Sequence, residues 1–198
     1  MGRVLKGEKL EKELLRLEAM KEFEQQYRDF TLICGIDEAG RGPLAGPVVA
    51  GAAILPKNCT ILYLNDSKKL SEKRREELYL EIQKKAVTWA VGIASPERID
   101  EINILQATYE AMRQAVSGLK EVPSILFNDA VTIPGIDIPQ VPIIKGDAKS
   151  VSIAAASVLA KAARNPILFA CLEAVEEINK TCVVRLSKSM ILLDDRFA

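Results

Sequence analysis

The sequence predicts an α/β domain: a mixed sheet flanked by helices, with a helical extension at its amino terminus. Two observations carry this. Short apolar runs of strand length alternate with longer segments of helical periodicity, and the first two apolar runs are joined by a Gly/Pro loop too short to hold a crossover helix. The 198 residues suit one compact domain with an appendage, and a composition of 48% hydrophobic and 27% charged residues is that of a chain able to bury a core.

Residues 7–27 set Leu10, Leu14, Leu17 and Met20 at helical spacing among Lys and Glu, so they predict one amphipathic helix that docks on the rest of the chain. From Phe30 the run FTLICGID ends in two acids and passes through EAGRGPLAGP to the apolar VVAGAAIL, a pair of strands around a loop. Residues 71–86 form a charged helix with Leu78 and Ile82 facing inward, and TWAVGIAS is a strand. Ser95 and Pro96 start a helical segment that contains INILQATYEAMRQAV and stops at Gly118. SILFN and VPIIK then read as strands, and the Ala-rich SVSIAAASVLAKAAR as a packed helix.

Composition excludes several functions. There is no histidine, so no His triad, His base or His metal ligand exists. Cys34, Cys59, Cys171 and Cys182 are far apart, without the spacing of a zinc site or a disulfide framework. Lys plus Arg and Asp plus Glu both count 27, so any basic surface is local. The amino terminus is charged from its third residue, unlike a signal peptide, and the apolar stretch at 44–55 contains Pro and Gly and is too short to span a bilayer. A cytoplasmic chain without membrane contact is the expectation.

Chemistry must therefore come from carboxylates, Lys, Cys, Ser or Tyr. Asp37 and Glu38 end one apolar strand and Asp129 ends another, the position where loops shape a cleft in α/β proteins. Carboxylates without His or Cys suit Mg²⁺ or Mn²⁺, and two such ions roughly 4 Å apart would serve phosphodiester cleavage. Successive strand residues face opposite ways, so Asp37 and Glu38 share one site only if the strand curls into the loop. Taken alone, the same acids read more readily as caps, turn residues or surface charges than as a metal site, and GRGPLAG is neither of the nucleotide-binding glycine patterns.

Four stretches in order reverse this balance: CGIDEAGRGPLAGPVVAGAAIL, NDSKKLSEKRREELY, INILQATYEAMRQAV and IIKGDAKSVSIAAASVLAK. Together they resemble the bacterial ribonuclease HII family over roughly residues 32–164. The resemblance implies a ribonuclease H-like fold and an endoribonuclease that uses Mg²⁺ or Mn²⁺ to cut RNA in RNA/DNA hybrids and single ribonucleotides embedded in duplex DNA, leaving 3′-hydroxyl and 5′-phosphate ends. Asp37, Glu38 and Asp129 take three acidic places of the family's carboxylate set. Gly40, Arg41 and Gly42 match the loop that reads the ribose 2′-hydroxyl, the group that distinguishes RNA from DNA. Lys68, Lys145 and Lys161 become candidates for backbone phosphate contacts.

By this resemblance residues 1–29 are a helical extension, 30–166 the catalytic domain, and 167–198 an atypical tail. A fourth acid is expected just after the Ala-rich helix, where the chain has Asn165 followed by Pro166; a lost ligand and a perturbed helix are both expected there, and with them impaired cleavage. Residues 167–198 contain no Tyr and no His and align with none of the family's substrate-stacking segment, and Asp194 and Asp195 read as solvated acids near the chain end. A non-catalytic hybrid-binding protein and a Mg²⁺-dependent hydrolase of small phosphate esters are the competing readings. A monomer is expected.

Overall fold

The structure is a computed structural model that describes residues 6–43 and 45–179, with side chains to residue 166. Its centre is a five-stranded sheet in the order β3-β2-β1-β4-β5. β1 (Ile33–Ala39) pairs antiparallel with β2 (Val48–Ile54), and β2 with β3 (Thr88–Ala94). β1 pairs parallel with β4 (Ile125–Asp129), and β4 with β5 (Gln140–Ile143). The mixed sheet is the one the early hairpin predicts.

Helices cover both faces. α1 (Glu8–Ala19) and α2 (Glu22–Gln26) precede the sheet, α3 (Glu72–Lys85) follows β2, α4 (Pro96–Ile102) and α5 (Ile104–Ser117) follow β3, and α6 (Val151–Asn179) follows β5. On one face, Ala107, Ala111, Met112 and Ala115 of α5 pack on Cys34, Ile36, Val48, Ala50, Ala52 and Ile54. On the other, α6 lies on Ala53, Leu78 and Ile82 through Ala154, Ala155, Val158 and Leu159.

The seating of α6 is unusually close. A Cβ at Gly35 would stand 2.0 Å from the Ser152 carbonyl carbon, and one at Gly51 2.3 Å from the Ala156 carbonyl oxygen. Glycine at both positions therefore lets helix backbone touch strand backbone, and small side chains of α6 fill the remaining space.

The predicted single helix over 7–27 is two helices, broken around Met20 and Lys21. Its halves bury against different patches. Leu17 and Met20 join the α3–α6 cluster, whereas Phe23 and Tyr27 set their rings 6.4 and 5.4 Å from that of Phe127. Arg16 donates to the Leu64 carbonyl at 2.7 Å and Glu13 accepts the Tyr63 N–H, so the extension is tied to the body by polar bonds as well. Glu24 reaches furthest. Its Oε1 accepts the Ser150 hydroxyl and, at 3.0 Å, the Ser152 N–H, while Ser150 Oγ accepts the Ile153 N–H. The amino terminus of α6 is thus capped twice, once by a carboxylate far away in sequence.

The segment predicted from Ser95 to Gly118 also divides. Asn103, at φ 69°, ends α4 and caps α5 by accepting the Leu105 and Gln106 N–H groups. Ser95 caps α4 and Pro96 opens it, as expected. At the far end α6 runs on through Pro166 to Asn179, so proline removes one helix hydrogen bond without ending the helix. Side chains beyond residue 166, Cys171 among them, and all of Cys182, Asp194 and Asp195 lie outside the described residues.

Two stability outcomes follow from this packing. Gly35→Ala forces β1 and α6 apart and lowers stability by about 3 kcal/mol, the upper range for overpacking, read from urea unfolding. Glu24→Ala leaves two donors at the start of α6 without their carboxylate and costs about 1–2 kcal/mol in the same assay.

Candidate active site

The site is built at the carboxyl ends of the parallel strands. Ile36 stands opposite Asn128, so the next residues, Asp37 within β1 and Asp129 at the end of β4, lie at equal height. Alternation then fixes their direction. Gly35 faces α6, hence Asp37 does too, and Phe127, packed with Ile153, puts Asp129 on the same side. Glu38 belongs to the opposite parity, and its pairing with Ala50 keeps β1 regular through Ala39.

Asp147 completes the group. It lies in the turn Gly146–Ala148 that follows β5, and one carboxylate oxygen from each of Asp37, Asp129 and Asp147 falls within 4.8 Å of the others. The turn is pinned by the Gly146 N–H, which donates to Asp129 Oδ1 at 2.7 Å. Two residues next to these acids hold left-handed backbone, Ala130 after Asp129 at φ 55° and Lys145 before the turn at φ 57°, strain of the kind that marks functional loops. Sequence reasoning missed Asp147. The signal was there: an acid just after a third apolar run, at the end where α/β sheets bind ligands.

Electrostatics agree with a cation site. Burial, then the charge of Glu38, pushes the Asp37 carboxyl well above its ordinary range, although a hydrogen bond from Ser157 opposes this. Burial raises Glu38 as well, Arg41 pulling it down and Asp129 pushing it up. Asp147 is pushed up to about 6 by burial and by the neighbouring Asp66 and Asp129, with Lys68 opposing. Glu38 also keeps one buried oxygen, Oε2, without a hydrogen-bond partner among the described residues. Carboxylates gathered against their own repulsion, with oxygen as the only donor element, fit a hard divalent ion such as Mg²⁺ or Mn²⁺.

Around the acids stand the other expected residues. Gly40, at φ 105°, opens the loop; Arg41 lies 3.7 Å from Glu38; Gly42 has open space where a side chain would be. Lys68 sits in the turn Ser67–Lys69 whose cap, Asp66, faces Asp147. Lys145 is exposed two residues before Asp147, and Lys161 follows Ser157 by one turn of α6. Ser157 also bonds Ser67 at 2.8 Å, linking α6, the Lys68 turn and Asp37. Asn165 does not reach this group. It stands eight residues, more than two turns of α6, beyond Ser157 and lines a groove with Glu72, Arg75, Glu76 and Tyr79 of α3.

The family model described as ribonuclease HII matches residues 34–182, beyond the last motif at residue 161. The chain belongs to this family. It is 63% identical over 161 residues to the ribonuclease HII of Lachnoclostridium phytofermentans and 53% identical over 166 residues to that of Clostridioides difficile, alignments that cover 81% and 83% of the chain. It spans 63% and 65% of the length of these two ribonuclease HII relatives. Among solved structures, the ribonuclease H2 of Pyrococcus horikoshii superposes with a TM-score of 0.63 at 29% identity, covering 72% of this chain and 76% of that one. The ribonuclease HII of Archaeoglobus fulgidus, solved in complex with PCNA, gives 0.61 at 32% identity, over 73% and 78%. The ribonuclease H-like fold implied by the motifs is the fold observed. Among the described residues no helix is long and apolar enough to cross a membrane.

Because the folded-state pKa of Asp147 is raised from 3.8 to about 6, its neutral form favours the fold; that contribution is complete below 3.8 and is lost as pH rises through 6. In chelator, Asp147→Asn therefore melts above the parent chain at pH 8 and together with it at pH 4. With Mn²⁺ at pH 8 the order reverses, because the parent alone keeps the full ligand set. Differential scanning calorimetry at the two pH values checks both statements.

Proposed function

We propose that the chain is an endoribonuclease that hydrolyses the RNA strand of RNA/DNA hybrids and cuts at single ribonucleotides embedded in duplex DNA. The observation that carries the reading is the meeting of Asp37, Asp129 and Asp147 within 4.8 Å beside the Gly40–Gly42 loop. Membership of the ribonuclease HII family supports the same conclusion.

Asp37, Asp129 and Asp147 would hold Mg²⁺ or Mn²⁺, with Glu38 at the margin. Bound there, the ions would activate water and stabilise the leaving oxygen of the cleaved phosphodiester. The residues of the chain set the geometry. Ser157 fixes the Asp37 carboxyl, and the Gly146 N–H fixes that of Asp129. Gly42, with nothing where a Cβ would stand, lets the loop backbone approach the ribose and sense its 2′-hydroxyl. Lys68, Lys145 and Lys161 supply positive charge to the phosphates on either side, positioning the duplex without reading its bases. The products carry 3′-hydroxyl and 5′-phosphate ends, and the chain acts as a cytoplasmic monomer.

A binding-only chain would need an incomplete carboxylate set. Asp147 argues against that.

Cleavage of a duplex with one embedded ribonucleotide, in Mn²⁺, tests the reading. The parent chain is expected to cut, Asp129→Asn to lose about a hundredfold or more in kcat, and Asn165→Asp to stay within about threefold of the parent. No cleavage by the parent, with hybrid still bound, would establish the binding-only alternative. Cleavage restored only by Asn165→Asp would return the fourth ligand to that position.

A further inference from the structure

The loop between β1 and β2 leaves and re-enters the sheet around one buried side chain. Arg164, on α6, is only 4% exposed. Its Nε donates to the Pro47 carbonyl at 3.1 Å and its Nη2 to the Ala45 carbonyl at 3.2 Å. Nε and Nη2 form one edge of the planar guanidinium, so two carbonyls of the returning loop are received side by side. Gly46, at φ 97°, lies between those carbonyls, in backbone that other residues rarely adopt.

The outgoing end of the loop touches the same group. A Cβ on Gly40 would come within 2.3 Å of the Pro47 carbonyl oxygen and 2.7 Å of Arg164 Nε. The guanidinium therefore closes the mouth of the loop: Gly40 packs against its Nε edge, where Pro47 is bonded, and Ala45 is held by Nη2 beside it. Arg41 and Gly42 lie between these fixed points. Since α6 also carries Ser157, which bonds Asp37, one rigid helix sets the loop and the carboxylate group relative to each other.

We propose that Arg164 is a positioning residue that holds the Gly40–Gly42 stretch at the height where it discriminates a ribonucleotide from a deoxyribonucleotide. The inference rests on the reading of that loop as the 2′-hydroxyl sensor. The bidentate edge is what matters, so lysine, with its point charge, does not replace it.

Two measurements on the full chain test this, using Arg164→Lys and Arg164→Met, with Gly40→Ala as a variant that displaces the loop from its other end. The first is ¹⁵N relaxation of the Gly40, Arg41, Gly42, Ala45 and Gly46 amides: order parameters near 0.85 in the parent chain should fall below about 0.6 in all three variants, while those of β1 and β2 stay rigid. The second is the dissociation constant, with Ca²⁺ in place of Mn²⁺, for a duplex with one ribonucleotide against the same duplex of DNA alone. The preference of the parent for the ribonucleotide should shrink about tenfold in the variants, as for a contact to a charged group, with affinity for the all-DNA duplex unchanged in Arg164→Lys and Arg164→Met. Unchanged order parameters in Arg164→Lys and Arg164→Met overturn the clamp, and so does an undiminished preference. If the parent shows no preference at all, the sensor reading of the loop fails while the relaxation data still decide whether Arg164 holds it.

Discussion

Direct contact between α6 and the sheet is the constraint on which the rest of the structure depends. Only glycine fits at Gly35 and Gly51, where any side chain would enter the backbone of α6. Brought this close, a single helix touches every part of the site. Its amino-terminal turn packs by Ile153 against Gly146, its middle supplies Ser157 to Asp37, and Arg164 reaches the returning loop. The extension contributes from the other side, since Glu24 caps the same helix and Phe23 and Tyr27 cover Phe127.

That architecture is bought with electrostatic strain. Asp37, Asp129 and Asp147 converge where burial and mutual repulsion raise the carboxyl pKa of Asp37 and Asp147, and Asp66 adds to the crowding. Asp129 accepts the Gly146 N–H and Asp37 a hydrogen bond from Ser157, but neither bond needs a charged acceptor. A core of the same shape with neutral residues would be more stable, which is the usual relation between a site arranged for function and the fold that carries it.

Much of the fold was legible because each element carries its own signal. Leu78 and Ile82 face inward, Ser95 and Pro96 open a helix, and the short loop after Glu38 makes a hairpin, all from local pattern. The breaks at Met20 and Asn103 were harder to read, because periodicity is blind to the angle at which two halves of a segment meet different patches of core. In the site, Asp37 and Asp129 stood out as acids at strand ends. Asp147 did not, because it follows β5 by a turn instead of ending it, and Asn165 drew attention by motif while pointing at α3. The parity that separates Glu38 from Asp37 was visible; whether the strand would curl depended on the ladder to β2, a tertiary fact. Arg164 carries no local signal at all, since its role exists only once α6 meets the loop.

The central claim is that the three carboxylates on the α6 face form the divalent-ion site. Anomalous scattering from crystals of the chain soaked in Mn²⁺ tests it most directly. A peak is expected among oxygens of Asp37, Asp129 and Asp147, with Glu38 at its margin and none beside Asn165. A peak between α3 and Asn165, or none at the ends of β1 and β4 when Mn²⁺ is bound elsewhere on the chain, would contradict it.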